Sequence, residues 1–102
     1  MITQNLSVES FVPAPAQGVL CIECLNQHSA IMRKMKKVVH LNTEIRVSAE
    51  RIFAAQMDGD CMSPIGAHAT IQRDLISITG FVATADGTRF IRNKIALINI
   101  SC

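Results

Sequence analysis

Residues 67–92 read AHATIQRDLISITGFVATADGTRFIR, and the expected fold follows from this stretch. Its apolar and polar residues alternate, which is typical of β-strands with one buried face. The pair Arg73-Asp74 is short enough for a tight connection, and Asp86-Gly87 is a strong hairpin-turn signal. The stretch therefore predicts three consecutive antiparallel strands: residues 67–72, residues 75–84, and a third that begins at Arg89.

The chain before these strands predicts an extended lead-in, a short strand and a helix. Residues 1–18 are polar and carry two prolines, so we expect no folded element there. Residues 18–24, GVLCIEC, form a short apolar run with β-branched members, which predicts a strand. A first helix is predicted over residues 29–40, with Ser29 as its N-cap.

A second helix is predicted over residues 42–59, and Asn42 or Thr43 can cap it. Arg46 and Glu50 are four residues apart and can form an ion pair on its surface. Its expected buried stripe has five members at helical spacing: Ile45, Ala49, Ile52, Phe53 and Met57. Helices followed by a run of antiparallel strands favour an α+β fold, with the helices packed on one face of a three-stranded antiparallel sheet.

The composition of the 102 residues fits one folded domain with an aliphatic core. Hydrophobic residues make up 49% of the chain and charged residues 18%, and there is no Trp or Tyr. The net charge is +2, and residues 28–51 alone carry +4. This basic stretch suggests an anionic partner only weakly, because such a run is usually the solvated face of a helix.

The sequence also predicts in which cellular compartment the protein is found. The first residues have neither the basic start nor the apolar core of a secretory signal peptide. No stretch approaches the ~18–20 apolar residues of a membrane span. We therefore expect a reduced, cytoplasmic protein with free thiols and no membrane partner.

Cys21 and Cys24 form a C-x-x-C pair, which raises zinc binding and redox chemistry as possible functions. A structural zinc site needs four ligands, and the sequence has no second C-x-x-C and no H-x₃-H. Within a strand, a separation of three residues puts the two side chains on opposite faces. We therefore expect buried structural cysteines and no metal site. The histidines His28, His40 and His68 are far apart in sequence and are expected to cap helices or lie at the surface.

A further cysteine, Cys61, lies in the turn MDGDCMSPIG, residues 57–66, where nothing obvious would bury it. It could be a small apolar residue at the base of a helix–strand turn. It could instead be a nucleophile or a covalent attachment point. The carboxylates of Asp58 and Asp60 would disfavour the thiolate if they were close. A cysteine that reacts once and then stays modified need not react fast, so this objection does not exclude attachment.

Three segments together resemble the C-terminal part of the porphobilinogen deaminase family, also called hydroxymethylbilane synthase. They are PAPAQGVLCIEC (13–24), RVSAERIFAAQMDGDCMSPIGAHA (46–69) and DGTRFIR (86–92). The family patterns are roughly P-A-x-G-Q-G-x-x-x-I-E-C, then R-x-x-A-E-R followed by G-G-C-x-x-P-I-G, then D-G-x-x-x-x-R. All three occur here in the same order with compatible gaps, so the resemblance spans nearly the whole chain.

The resemblance implies a transferase of tetrapyrrole, and hence porphyrin and heme, biosynthesis. Enzymes of this family condense four porphobilinogen units into hydroxymethylbilane on a dipyrromethane cofactor, which a thioether holds to one cysteine. Cys61 falls on that cysteine, and Gln17 and Gly18 fall on the segment that borders the cofactor. The family's catalytic aspartate and its arginine cluster belong to its first two domains. We therefore expect no catalytic residue in this chain, and no activity from the chain alone.

The resemblance also implies a domain organisation. Residues 1–25 are expected to be the end of a preceding domain, namely an extended segment and its last strand. Residues 26–102 are expected to be the C-terminal, cofactor-bearing domain without its last helix, with a topology like that of double-stranded-RNA-binding domains. The expected partners are porphobilinogen, the growing pyrrole chain and the missing N-terminal domains, with no nucleic acid.

The chain departs from the family pattern at several positions. Ala16 stands where the family has the glycine before Gln17, and Asp60 stands where it has the second glycine before the cysteine. Asp60 adds a carboxylate beside the expected anchor. Two alternatives also remain: a small basic nucleic-acid-binding module, and a zinc or thiol protein that uses all four cysteines, Cys21, Cys24, Cys61 and Cys102.

Overall fold

A computed structural model describes residues 1–57 and 64–98, and it has the predicted α+β architecture. The helices come first, and three consecutive strands form one antiparallel sheet in the order β1-β2-β3. The elements are α1 (Ser29–Lys36), α2 (Leu41–Met57), β1 (Ile65–Gln72), β2 (Leu75–Ala83) and β3 (Phe90–Ile98). The predicted likeness to double-stranded-RNA-binding domains stays a prediction, because this element order does not test it.

Both predicted hairpin turns are present. The first joins β1 to β2 through Arg73 and Asp74, and Arg73 takes the left-handed backbone conformation, with φ 57°. The second lies between Ala83 and Phe90, which pair with each other across β2 and β3. There Gly87 has φ 75°, a conformation that glycine adopts without steric cost.

Asp86 organises the second turn. Its Oδ1 accepts hydrogen bonds from the Thr84 hydroxyl at 2.7 Å, from the Thr88 hydroxyl at 2.8 Å and from the Thr88 backbone N–H at 3.0 Å. These donors favour the charged carboxylate, the Thr84 hydroxyl most of all, and lower the pKa of Asp86 to about 2. The sequence signal therefore corresponds to a real network of hydrogen bonds that closes the hairpin.

The sheet has one face covered by α2, which we call the helix face. Strand register puts Ala67, Ala69 and Gly80 on this face, and the ring of Phe53 from α2 lies directly over Gly80. Ala67 and Ala69 are fully buried, because small side chains let the helix approach the strands closely. The core of the described residues is therefore where α2 meets β1 and β2.

The other side of the sheet, the opposite face, carries an aromatic pair and two basic residues. Phe81 and Phe90 stack with their ring centroids 5.3 Å apart, and the Phe81 ring covers Gly66 on β1. Arg92 donates to the backbone carbonyl of Glu9 at 2.9 Å, and Lys94 pairs with the Glu9 carboxylate at 3.0 Å. The N-terminal segment, predicted as a mere lead-in, is thus in contact with β3.

α2 begins one residue earlier than predicted, and His40 caps it. The Nδ1 atom of His40 accepts the backbone N–H of Thr43 at 3.3 Å, and its carbonyl accepts the N–H of Glu44 at 3.0 Å. The role of His40 as a helix cap is therefore confirmed, while Asn42 and Thr43 lie inside the helix.

The buried stripe of α2 is also shifted from the prediction. Ile45, Ala49 and Phe53 are partly buried as expected, but Ile52 is 61% exposed and Met57 is exposed. The most buried residue of the helix is Glu50. Glu50 reaches the outer edge of β1 while Phe53 lies over β2, so the buried face of α2 spans both strands and leaves Ile52 outside.

α1 is shorter than the predicted helix and ends at Lys36. His28, not Ser29, occupies the N-cap position, without a side-chain hydrogen bond, and none of the helix is buried. The packing on the sheet comes from α2, and α1 lies outside that contact in the described part of the chain. Within residues 1–57 and 64–98, neither helix is long and apolar enough to cross a membrane.

The strand predicted over residues 18–24 is wrong for the described structure, which has no strand there. A β-strand needs a neighbour for its backbone hydrogen bonds, and the sheet of the described residues consists of β1, β2 and β3 only. The apolar side chains of the segment are exposed instead, with Leu20 96% exposed and Ile22 61%. Whether residues 1–25 and 26–102 belong to different domains stays a prediction.

Candidate functional site

Cys61, the predicted anchor, lies outside the described residues, but the elements on both sides of it are described. The chain leaves α2 at Met57 and enters β1 at Ile65, next to Pro64. The carbonyl of Pro64 accepts the backbone N–H of Ala83 at 3.1 Å, so the chain is already paired with β2 before β1 begins. Because α2 packs on β1 and β2, both ends of the segment that carries Cys61 are attached to one core.

Gln17 and Gly18 lie in a tight turn that follows Pro13. The backbone N–H of Gln17 donates to the carbonyl of Ala14 at 3.1 Å, and its side-chain Oε1 accepts the N–H of Ala14 at 3.1 Å. Gly18 has φ 81°, and a Cβ built there would meet nothing within 4 Å. The turn therefore presents an open stretch of backbone at Gly18, and the predicted place of Gln17 and Gly18 beside the cofactor stays a prediction.

The carboxylate of Glu50 connects this turn to the sheet. Glu50 is 5% exposed, and its Oε1 accepts the backbone N–H of Ala16 at 2.9 Å. Its Oε2 accepts the N–H of Ala69, in β1, at 3.3 Å. The predicted ion pair with Arg46 is wrong, because the Glu50 side chain is turned inward and Arg46 donates to the hydroxyl of Thr43 at 3.2 Å.

A second hydrogen bond connects the same segment to β1, at Pro13, three residues before Ala16. The carbonyl of Pro13 accepts the backbone N–H of Ala67 at 2.9 Å. Ala67 and Ala69 belong to β1, the edge strand, whose other side pairs with β2. Residues 13–16 and the Glu50 carboxylate together satisfy N–H groups on the outer edge of β1, which would otherwise be open to pairing with another chain.

Ala16 stands where the family pattern has a glycine, and its backbone conformation shows why glycine suits this position. Its φ is 62°, in the left-handed region that glycine adopts freely and alanine only at a cost. The family's glycine at this position fits the same backbone. This chain keeps the conformation with alanine, and the hydrogen bond from Ala16 to Glu50 helps to hold it.

Cys21 and Cys24 are free and exposed, so the prediction of buried structural cysteines is wrong. They lie in the extended segment that pairs with none of the described strands, and nothing there covers them. Among residues 1–57 and 64–98, no group of three or more potential metal ligands is present. Cys61 and Cys102 lie outside those ranges, and nothing in the described part of the chain supports the zinc or nucleic-acid alternative.

Glu50 is the residue that the sequence reasoning missed. Helical spacing placed it beside Arg46, and a carboxylate on a helix is usually solvated. A usable signal was present in the family pattern R-x-x-A-E-R, because Glu50 is the Glu of that motif. The histidines gave a mixed result: His40 is a cap, His28 occupies a cap position without a side-chain bond, and His68 is half-buried in β1.

The fold and the site define a class of protein: a small α+β domain in which a cysteine-bearing segment connects the packed helix to the first strand of an antiparallel sheet. Residues 44–101 match the family described as porphobilinogen deaminase, C-terminal domain, and the chain belongs to this family. The resemblance predicted from the three sequence motifs is therefore confirmed.

Curated relatives extend the match over almost the whole chain. The porphobilinogen deaminase of Bacillus pumilus is 39% identical over 97 residues, which cover 94% of this chain and 31% of the relative. That of Nitrosomonas europaea is 38% identical over 94 residues, which cover 92% of this chain and 30% of the relative. That of Trichlorobacter lovleyi is 32% identical over 96 residues, with 94% and 31% covered. The chain thus spans less than a third of the length of these relatives.

Proposed function

We propose that this chain is the cofactor-bearing C-terminal segment of a porphobilinogen deaminase, a transferase that condenses four porphobilinogen units into hydroxymethylbilane. The observation that carries the proposal is the family match over residues 44–101, which includes the cysteine motif at Cys61. The relatives that share this segment are named porphobilinogen deaminase, which supports the same activity for the assembled enzyme.

In this proposal the sulfur of Cys61 holds a dipyrromethane cofactor through a thioether bond. When bound, the cofactor supplies the pyrrole end to which substrate units are added. The donor chemistry fits, because a single thiol forms a single thioether and needs no metal ligand set. The elements on both sides of Cys61 fit as well. α2, which ends at Met57, packs on the sheet, and Pro64 is already paired with β2, so both ends of the segment would be held in place.

The turn at Gln17 and Gly18 would border the cofactor. The open space at Gly18 leaves room for a ligand against the backbone, and the Gln17 side chain is already fixed by its bond to Ala14. Neither residue is proposed to transfer a proton. Their role would be to bind and orient the pyrrole chain while other domains carry out the chemistry.

We also propose that the partner of this segment is the rest of the enzyme, with the catalytic aspartate and the arginines that bind substrate carboxylates. The exposed apolar side chains of Leu20, Ile22 and Leu25 support a further protein surface next to residues 19–25. The exposed free thiols Cys21 and Cys24 support a reducing compartment, and we propose a cytoplasmic location.

A chimeric enzyme tests the proposal. Residues 1–102 would replace the matching C-terminal segment of the Bacillus pumilus relative, and the product would be examined by mass spectrometry and by a porphobilinogen turnover assay. We expect a mass increase of two pyrrole units located on Cys61, together with formation of hydroxymethylbilane. The 102-residue chain alone should show no turnover.

Two cysteine variants serve as a matched pair in this chimera. Cys61→Ser should carry no cofactor and show no turnover, whereas Cys21→Ser, which removes an exposed thiol elsewhere, should stay loaded and active. A two-pyrrole adduct that persists in Cys61→Ser would refute the assignment of the anchor.

A further inference from the structure

We propose that Glu50 is a positioning residue, which holds the Gln17–Gly18 turn in place relative to the two elements that flank Cys61. This inference rests on the proposed function, since it assigns a role in the same site. It starts from the contacts of one carboxylate with two backbone N–H groups in different parts of the chain.

The burial of Glu50 makes the arrangement well defined. A carboxylate loses its hydration when it is buried, and it is tolerated only when hydrogen bonds replace the lost water. Glu50 is 5% exposed, and each of its two oxygens accepts one backbone N–H. The bond from Ala16 is the shorter of the two, at 2.9 Å, and the bond from Ala69 is 3.3 Å, so the carboxylate holds the turn more closely than it holds the strand.

The three segments that meet at Glu50 are the ones that matter for the site. Glu50 itself lies in α2, which ends at Met57 just before the segment of Cys61. Ala69 lies in β1, which begins at Ile65 just after that segment. Ala16 directly precedes Gln17 and Gly18. One side chain therefore links both flanks of the anchor to the turn proposed to border the cofactor.

The backbone conformation of Ala16 depends on its hydrogen bond to Glu50. Alanine rarely adopts φ 62°, so this turn would relax if its N–H lost its partner. The hydrogen bond from the N–H of Ala67 to the carbonyl of Pro13, three residues before Ala16, would then be the remaining contact between this segment and β1. Gln17 and Gly18 would then shift relative to β1 while the sheet itself stayed paired.

The variant Glu50→Gln tests this directly. Glutamine has the same shape, but one of its two terminal groups is an NH₂ donor, which cannot accept the N–H of Ala16 or Ala69. The matched control is Glu44→Gln, at an exposed position in the first turn of the same helix. Glu50→Asp is the second variant: it keeps the charge, but its shorter side chain cannot reach both amides.

The first measurement is amide hydrogen exchange on the 102-residue chain. In Glu50→Gln, which keeps one acceptor oxygen, we expect faster exchange at the amide of Ala16, of Ala69 or of both. Exchange along the β2–β3 pairs, for example at Ile78 and Gly80, should be unchanged. Glu44→Gln should leave all four amides unchanged. If the amides of Ala16 and Ala69 both keep their protection in Glu50→Gln and in Glu50→Asp, the inference is wrong.

The second measurement is steady-state kinetics of the chimeric enzyme at a temperature where every variant is fully folded. Because small displacements of groups around a reacting centre cost about tenfold to a hundredfold in rate, we expect a kcat loss of that order in Glu50→Gln. Cofactor loading on Cys61 should be unchanged. A purely structural role would instead leave kcat of the folded enzyme intact and lower only its melting temperature.

The outcomes separate this inference from the proposed function. If Cys61 is loaded and the chimera turns over, but Glu50→Gln has the kcat of Glu44→Gln, the positioning role is refuted and the proposed function stands. If the chimera that carries the unmodified chain acquires no cofactor at Cys61, the proposed function fails. Glu50 would then be only a structural contact, whatever the exchange measurement gives.

Discussion

Ala16 has a backbone conformation that its own side chain disfavours, and the reason lies in what surrounds it. Its N–H points at the buried Glu50 carboxylate, and the next two residues complete the turn with Gly18, which is also left-handed. Such strain persists where neighbouring contacts over-determine the conformation. At the scale of single residues, the Glu50 carboxylate is therefore the contact that holds Ala16 in this conformation.

Replacing Ala16 with glycine should therefore stabilise the chain. The left-handed conformation costs alanine about 1–2 kcal/mol, part of which is offset by the greater flexibility of glycine when unfolded, so we expect a net gain of about 0.5–1 kcal/mol. Urea denaturation measures the free energy of unfolding. The control is Ala14→Gly, whose φ is not positive, and which should lower stability or leave it unchanged.

Asp86 carries a pH dependence that belongs to a single residue. Its folded pKa is about 2, below the ordinary value of 3.8, so the unfolded chain binds more protons between these values. The stabilisation from this group is fully present above the unfolded pKa and is lost as the pH falls through the folded pKa. Melting temperatures recorded from about pH 5 to about pH 2 should fall less steeply in Asp86→Asn than in the unmodified chain. Parallel curves would contradict this origin.

At the scale of elements, the packing of α2 on the sheet depends on the absence of side chains where the helix comes closest. Gly80 lies under the ring of Phe53, and Ala67 and Ala69 are the fully buried neighbours on β1. These small residues let an aromatic ring fill the space above the middle of the sheet. The helix position is thus set by volume as much as by hydrophobicity.

Adding a methyl group at Gly80 tests this packing. An ideal Cβ there would lie 2.6 Å from Cζ and 2.8 Å from Cε2 of Phe53, so Gly80→Ala should cost about 1–3 kcal/mol in the free energy of unfolding. In a Phe53→Leu background the ring is gone and the same substitution should cost less. A double-mutant cycle by urea denaturation measures the coupling. Equal costs in both backgrounds would show that Phe53 is not the obstacle.

At the scale of the whole molecule, the described residues bury few apolar side chains. Ala67, Ala69 and Ile76 are the buried apolar residues in the described part of the chain. The helix face is covered over β1 and β2 only, while Ile91 and Ile95 on β3 and the run from Val19 to Leu25 are exposed. A domain with this much open apolar surface is consistent with the chain spanning less than a third of its relatives.

Much of the fold could be predicted from the sequence, because its decisive signals are local. The alternation of residues 67–92 and the Asp86-Gly87 turn predicted both hairpins, the bounds of the first two strands within two residues, and the start of the third within one residue; the end of the third strand was not predicted. Helical spacing predicted both helices, with their ends displaced by a few residues. For the site, the motif at Cys61 and the turn at Gln17 and Gly18 were found by resemblance, and their roles stay predictions.

The sequence by itself determined the order of the two helices and the three paired strands, the sheet topology and the family, since each depends on neighbours in the chain or on short motifs. Only the tertiary structure decided that residues 18–24 form no strand, that Ile52 is exposed and that Glu50 is buried. These outcomes depend on contacts between distant segments, such as Ala16 and Ala69 meeting one carboxylate. Periodicity identifies which residues can share a face, but a partner far along the chain decides which face is buried and which polar groups are satisfied there.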